Sequence, residues 1–332
     1  MLPQVRLISR DNGVGLSRDL DLMLDALAGP VQAERIGLGG RGQTRWQLGK
    51  LCCRRALQGQ VPVQLFGERV YRHFLPLAER NLLVPNPEWF LPRWMPSLSR
   101  FDAVLCKTRH AERIFRALGS EVRYVGFTSA DRMLTQVQRQ RVFPHLAGRS
   151  SAKGTQVLID TWKRHPHWPL LVVVQHPKRV RERVVAHNID HRVTYLDDTQ
   201  LQILQNACQF HICPSETEGF GHYLMEGLSV GAVVLATDGE PMDELVSAQR
   251  GIPIAVADVR NDGLVRRHFV SAAGIVAAVE QALAMDVAAL QRISANARAH
   301  YLANSRSFRQ RFRSEVHAFM PEMAGIPASG IE

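Results

Sequence analysis

The feature that most constrains this fold is the alternation of short apolar runs with amphipathic segments along most of the 332 residues. The runs typical of strands lie at 5–9, 61–66, 81–85, 102–106 and 121–125, then near 141–146, 169–175, 191–196, 209–213 and 232–237. Helical patterns lie at 16–28 and 109–118, then near 154–164, 178–187, 198–207, 222–230 and 241–246. Repeated strand–helix–strand units predict an α/β protein whose parallel sheets are covered on both faces.

The polar stretch 126–141 follows the last strand of the first half and predicts a boundary there. The expected units are a first domain over 1–130, a second over 131–305, and a C-terminal helix within 306–332 that packs back on the first. The pattern over 270–320 predicts two or three helices, with breaks near Met285 and Ser305.

Composition indicates a folded globular chain, because 45% of the residues are hydrophobic and 22% are charged. No apolar run approaches the ~18 residues of a membrane-spanning helix, and the first ten residues lack the apolar core of a signal peptide. The five cysteines show neither a paired framework nor a zinc-like spacing. We therefore expect reduced thiols in a cytoplasmic protein.

The net charge of +10 is concentrated in the first half of the chain. Residues 1–140 hold 21 Lys/Arg and 12 Asp/Glu, a balance of +9, whereas the remainder holds 20 and 19, a balance of +1. A basic half suggests an anionic partner such as a membrane surface, a nucleic acid or a phosphorylated substrate. The cations are dispersed without interleaved aromatic residues, which argues against nucleic acid.

The segment 210–246 contains the pattern with the most chemical content. A buried-type strand leads into the loop Glu218-Gly219-Phe220-Gly221, and a short helix begins at about His222. Such loops lie at the carboxyl edge of a parallel sheet, where ligands bind, and a helix start favours negative charge. Glu226 lies about one turn inside the helix and leans back toward the loop, so two carboxylates can accept hydrogen bonds from hydroxyl groups. The alternative is that Glu218 caps the helix and Glu226 is solvated.

The order of these features resembles the group 1 glycosyltransferases, retaining enzymes of the GT-B fold related to glycogen synthase, sucrose synthase and phosphatidylinositol mannosyltransferase. The matching features are Glu-Gly-Phe-Gly, two glutamates eight residues apart, Gly231 before a Val-rich strand, and Glu244 in the next loop. The resemblance is specific over about 210–246 and weak in the first half. It implies two Rossmann-like domains that face each other across a cleft, the second for the donor and the first for the acceptor.

The resemblance also implies roles for the residues of the second half. Glu218 would lie beside the anomeric carbon of the donor sugar, and Glu226 would hold the ribose hydroxyls. Gly219, Phe220 and Gly221 would contact the donor from the loop, and Glu244 would lie near the nucleotide.

The family places a basic pair after the first strand of the second domain, here Arg149 and Lys153. A departing nucleoside diphosphate gains negative charge, which fixed cations stabilise most in the transition state. The alternative for this pair is two surface cations at a turn.

In the first half, Gly13 and Gly15 follow strand 5–9 and resemble the family's glycine loop at the cleft, although a tight turn alone explains a Gly-x-Gly pattern. Asp11 and Asn12 are expected near the acceptor, as is Lys107 at the end of strand 102–106. The histidine with which the family often contacts the donor sugar has no secure counterpart, since 84–90 holds Asn86 and Glu88 instead.

The sequence therefore predicts a retaining, metal-independent glycosyltransferase with no cofactor besides its sugar-nucleotide donor, such as a UDP- or GDP-sugar. The expected partners are a carbohydrate or lipid-linked acceptor and, at the periphery, an anionic membrane at its cytoplasmic face, with no nucleic acid. The alternatives are another sugar-nucleotide enzyme of this fold, an epimerase or phosphorylase, or a basic binding protein without activity.

Overall fold

The computed structural model describes residues 4–10, 15–29, 31–180 and 182–321, with the side chains of 15–17 left undescribed. Two α/β halves make up the chain, and the segment between residues 124 and 143 connects them.

The first half is built on a six-stranded parallel sheet in the order β2-β1-β3-β4-β5-β6. Its elements are β1 Val5–Arg10, α1 Gly15–Leu27, β2 Ala33–Leu38, α2 Arg41–Gln58, β3 Val61–Gly67, β4 Ala78–Val84, β5 Ala103–Cys106, α3 Arg109–Ala117 and β6 Val122–Tyr124. Short 3-10 helices at Arg72–Leu77, Pro87–Trp89 and Pro92–Arg100 occupy the connections around β4 and β5. Because all strands run the same way, their carboxyl ends share one edge.

The second half carries two three-stranded parallel ladders, β7-β8-β9 and β10-β11-β12. Its elements are β7 Phe143–Gly148, α4 Thr155–Lys163, β8 Leu171–Gln175, β9 Ile189–Val193, α5 Asp198–Ala207, β10 Phe210–Cys213, α6 His222–Ser229, β11 Val233–Thr237, α7 Met242–Leu245, β12 Gly251–Ile254, β13 Val256–Asp262, β14 Val265–Val270, α8 Ala272–Ala284 and α9 Val287–His317. The ladders adjoin at β7 and β10, where the rings of Phe143 and Phe210 stack 4.6 Å apart. β13 and β14 form an antiparallel hairpin outside this arrangement.

The helix predicted over 178–187 is wrong. Among the described residues of this range, 178–180 and 182–187, the regular structure is limited to a 3-10 turn at Pro177–Arg179. Val184 and Ala186 pack against the core of the second half, whereas Val185 between them is 90% exposed. The apolar side chains therefore alternate with a period of two rather than follow the 3.6-residue period of a helix.

The predicted break near Met285 is confirmed, but the break near Ser305 is wrong because α9 runs through it without interruption. A buried stripe of Tyr301, Phe308, Phe312 and Val316 explains this continuity. These side chains share one core with residues of α1, and Arg313 Nε donates to the carbonyl of Ala26 at 3.1 Å. The last part of α9 therefore lies on the first half, while the boundaries 1–130, 131–305 and 306–332 stay predictions.

Candidate active site

Two loops at the carboxyl edge of the second half form one side of the site. The loop after β7 ends at Gly154 (φ +62°), where an added Cβ would lie 2.3 Å from the carbonyl oxygen of Pro214 in the loop after β10. Glycine alone permits both the left-handed conformation and this close approach. The Glu216 amide donates to the carbonyl of Ala152 at 3.0 Å, which ties the loops together.

This approach brings Lys153 and Glu218 into an ion pair. Lys153 Nζ donates to Glu218 Oε1, and Ser215 Oγ donates to the same oxygen at 2.6 Å. The Lys153 ammonium also lies 3.8 Å from the centroid of the Tyr223 ring. Both charged side chains are largely withdrawn from water, with 14% and 13% exposed. The predicted catalytic lysine and glutamate thus occupy one shielded position, where charge–charge interactions are stronger than in water.

Glu226, the second glutamate of the motif, is buried at 4% exposure rather than solvated. Its Oε2 accepts from Gln205 Nε2 at 2.7 Å, and its Oε1 accepts from Arg18 Nη1 at 3.3 Å. Arg18 belongs to α1, so this ion pair joins the two halves. Sequence reasoning missed Arg18, although its place three residues after Gly15 was available as a clue.

The first half meets the same loop through Asn86 and Glu88, which follow β4. An added Cβ at Gly219 would lie 2.5 Å from Glu88 Oε1 and 2.9 Å from Asn86 Oδ1. Glu88 Oε2 is buried and has no hydrogen-bond partner among the described residues. Burial raises the pKa of Glu88 to about 8, and the charge of Glu218 acts in the same direction. At neutral pH the carboxyl is mostly protonated, so it can donate a hydrogen bond to an oxygen in the cleft.

Lys107, predicted to face the acceptor, is buried at the end of β5. It donates to Asp19 Oδ2 and, at 3.0 Å, to Asn86 Oδ1. The other oxygen of Asp19 lies 2.6 Å from His222 Nε2 at the start of α6. Burial alone would raise the pKa of Asp19, but Lys107 and His222 outweigh it and lower that pKa to about 2. Asp19 is therefore ionised and connects the two halves directly behind the loop.

Glu244 and Phe220 make protein contacts that the sequence did not foresee. The two carboxylate oxygens of Glu244 accept from the amides of Arg109 and His110, each at 2.7 Å, and so cap α3. The Phe220 ring is buried against Phe127 at 5.3 Å, which leaves its backbone as the part available to a ligand. Their predicted contacts with the donor stay predictions.

The remaining predicted residues have different surroundings. Gly221 (φ +99°) precedes the first residue of α6, as its glycine conformation allows. Arg149 is exposed, and its carbonyl accepts from Arg179 Nε at 2.7 Å. Gly15 begins α1, whereas Asp11, Asn12 and Gly13 lie outside the described residues.

Two further properties concern metals and membranes. Among the residues that the structure describes, no group of three or more His, Cys, Asp or Glu could hold a metal ion.

Over the same residues, no single helix is long and apolar enough to cross a membrane. The helices α8 and α9 reach that length and hydropathy only together, across a bend of 111°.

The family model for "Glycosyl transferases group 1" matches residues 128–300, which is more than half of the chain. The chain belongs to this family. No curated protein matches the chain by sequence.

Solved structures show the fold of this glycosyltransferase. Anabaena Alr3699/HepE, crystallised in complex with UDP and glucose, matches with a TM-score of 0.69 at 13% identity over 96% of this chain and 100% of that one. Sucrose-phosphate synthase from Thermosynechococcus elongatus matches with a TM-score of 0.63 at 15% identity over 95% of this chain and 99% of that one. The chain spans 60% of the length of a chain in the GtfA/B complex, with a TM-score of 0.61 at 14% identity over 83% of this chain. The predicted GT-B fold, with two Rossmann-like halves facing across a cleft, is confirmed.

Proposed function

We propose that this glycosyltransferase transfers a sugar, with retention of anomeric configuration, from a nucleoside-diphosphate sugar to the hydroxyl of a carbohydrate or lipid-linked acceptor. The observation that carries the proposal is the shielded pair of Lys153 and Glu218, with Glu88 of the first half closely facing it across Gly219. The cocrystallised UDP and glucose of Alr3699/HepE support a donor of the UDP-sugar type.

Lys153 is assigned to the leaving diphosphate. As the bond from the anomeric carbon to the phosphate oxygen breaks, negative charge grows on that oxygen, and a fixed ammonium stabilises it without reorganisation. In the structure Glu218 pairs with this ammonium. When the donor binds, its diphosphate would be a second anion beside Lys153. One oxygen of the Glu218 carboxylate would then face the sugar, on which positive charge develops as the bond breaks.

Glu226 is assigned to the ribose hydroxyls, because a carboxylate held by Gln205 still has lone pairs to accept from a hydroxyl. Its contact with Arg18 is the longer of its two hydrogen bonds, at 3.3 Å. Arg18 is 42% exposed in this ion pair, so a ribose hydroxyl can replace it at modest cost.

The transfer step needs no separate protein base to take the proton of the acceptor hydroxyl. The acceptor oxygen forms a bond to the anomeric carbon on the face that the phosphate leaves, and the acceptor proton passes to the departing phosphate oxygen. Glu88, protonated at neutral pH, is assigned a hydrogen bond to the sugar. The proposal includes no metal and no resident cofactor, and it places the enzyme in the cytoplasm, peripherally at the membrane.

A panel of UDP-, GDP- and ADP-sugars tests this proposal. One donor class should raise the melting temperature and be slowly hydrolysed, as followed by mass spectrometry, and Lys153→Ala should slow the hydrolysis by about 30–900-fold. Conversion of the donor into an isomer without release of nucleoside diphosphate would indicate an epimerase. Failure of every donor to bind or react would overturn the proposal.

A further inference from the structure

Helix α2 is unusually exposed for a helix of a parallel α/β half. Of its 18 residues only Leu51 is buried. Trp46 is 62% exposed and Leu57 is 85% exposed. A helix this length normally hides an apolar stripe against its sheet, so an outward apolar stripe indicates a surface with a further role.

The exposed apolar residues of α2 share one face. Trp46, Cys53 and Leu57 follow one another at spacings of seven and four residues, which places them on a single stripe. Leu51 lies on the opposite side, toward the core. Gly42, Gly49 and Ala56 flank the stripe, so the two large side chains project beyond their neighbours.

The charged side chains of α2 are all positive. The helix contains five cations and no acidic residue: Arg41, Arg45, Lys50, Arg54 and Arg55. At 100° per residue, Arg45 flanks one side of the stripe, and Lys50 and Arg54 flank the other. Arg54 pairs with Glu34 at 2.7 Å, and Lys50 lies 5.4 Å from the Trp46 ring. An apolar stripe bordered by cations is typical of helices that lie in the interface of an anionic bilayer.

The position of α2 relates it to the active site. It begins directly after β2, at the sheet edge that also carries Asn86, Glu88 and Lys107. A surface that held α2 would therefore lie beside the acceptor side of the cleft.

We propose that α2 docks the protein on an anionic lipid surface, with Trp46 and Leu57 inserted between headgroups and with Arg45 and Lys50 paired with phosphates. A protein partner would need to cover the apolar stripe and the cations together, whereas a bilayer interface supplies both environments to a helix lying flat. The consequence, that an acceptor in the membrane enters from this side, rests on the proposed function.

Vesicle cosedimentation tests the proposal with the full chain. Neutral phosphatidylcholine vesicles are compared with vesicles containing one third phosphatidylglycerol, at low and at physiological salt. Wild type should sediment with the anionic vesicles only, and less at higher salt because exposed charges are screened. Trp46→Ser/Leu57→Ser and Arg45→Glu/Lys50→Glu should each reduce binding at least tenfold.

Matched controls separate this surface from the general basic charge. Val287→Ser removes a 70% exposed apolar side chain from the second half, and Arg260→Glu reverses a 68% exposed cation there. Both should bind anionic vesicles within twofold of wild type. Equal binding to neutral and anionic vesicles, or equal losses in the α2 and control variants, would overturn the proposal.

Nucleotide binding in solution distinguishes the two proposals. The α2 variants should keep wild-type melting-temperature shifts with the sugar nucleotide, because α2 lies outside the donor loops. Donor binding without vesicle binding refutes the docking surface and the peripheral membrane location, and leaves the proposed sugar transfer intact. Vesicle binding without recognition of any donor refutes the proposed function alone.

Discussion

The two sides of the cleft differ in how their chemistry is distributed along the chain. On the second-half side, Lys153, Glu218 and Glu226 come from two loops and one helix, and the glutamates lie within nine consecutive residues. On the first-half side, the residues come from the segments after three different strands and meet only in the folded sheet: Asp19 after β1, Asn86 and Glu88 after β4, and Lys107 after β5. The first arrangement is visible as a motif, whereas the second requires the topology.

The two sides also differ in charge state. The carboxylate of Glu218 is paired with an ammonium, whereas burial raises the pKa of Glu88 to about 8 and keeps that carboxyl largely neutral at pH 7. An ionised and a protonated carboxyl near one loop can respectively stabilise developing positive charge and donate a hydrogen bond. Under the proposed function, the second-half side supplies the donor chemistry and the first-half side positions the sugar.

The largest expected effect is on the free energy of unfolding, and it comes from Asp19, which joins the two sides of the cleft. Asp19→Asn leaves buried Lys107 without its counter-ion, and breaking a buried pair in this way costs about 3–5 kcal/mol. Asp21→Asn is the control, because Asp21 lies on the same helix, is 59% exposed and pairs with Arg35 at the surface. Urea unfolding should show a large loss for the first variant and about 0–1 kcal/mol for the second. Equal losses would mean that the Asp19 network does not hold the halves together.

A slightly smaller effect is expected on turnover when Lys153, on the second-half side of the cleft, is replaced. Lys153→Ala should lower kcat/KM by about 2–4 kcal/mol of transition-state stabilisation, as for removal of an oxyanion donor. Lys163→Ala removes an exposed lysine from α4 and should leave kcat/KM unchanged. Initial rates of sugar-nucleotide hydrolysis measure both variants. A Lys153→Ala enzyme within twofold of wild type would contradict the role of this cation.

The smallest expected effect concerns the pH dependence contributed by the first-half side. Because the pKa of Glu88 is raised to about 8 from an ordinary value of 4.5, the folded state holds its proton where the unfolded state has lost it. The contribution of Glu88 to stability therefore falls as pH rises from 4.5 to 8 and is constant above that window.

Glu88→Gln cannot ionise, so its melting temperature should rise relative to wild type as pH increases through this window. Glu79→Gln, at an exposed position of β4, should stay parallel to wild type. Parallel curves for wild type and Glu88→Gln would show that Glu88 is ionised in the folded protein.

In the second half, the bounds of strands and helices could be predicted where the hydrophobic pattern of the sequence agrees with the burial of the residues. β10 was expected at 209–213 and forms at Phe210–Cys213, and α6 was expected at 222–230 and forms at His222–Ser229. Apart from His222, every residue of the two elements is buried, so apolar residues predominate in both. The glycine conformation at Gly221 and the turn at Gly231 (φ +64°) define the limits of α6.

Elements at the periphery escaped prediction for the opposite reason. β2 is an edge strand with a mixed burial pattern, and α2 presents apolar residues to solvent, so neither follows the periodicity of a buried element. The close approach of Glu88 to Gly219 depends on how the halves face each other. No spacing along the chain encodes that distance, which explains why Glu88, Asp19 and Arg18 were not identified as site residues.

The most direct test of the central claim is calorimetry of nucleoside diphosphate binding, combined with a turnover assay, on two variants of the donor motif. The titrant is UDP, or the diphosphate that the donor panel selects. Glu226→Gln should weaken binding about 5–30-fold, since a charge-assisted hydrogen bond to the ribose becomes a neutral one worth about 1–2 kcal/mol less. Glu218→Gln should bind the free nucleotide nearly as wild type does, yet transfer sugar at least tenfold more slowly. Equal losses of nucleotide affinity in the two variants would contradict the assignment of one carboxylate to the ribose and the other to the sugar.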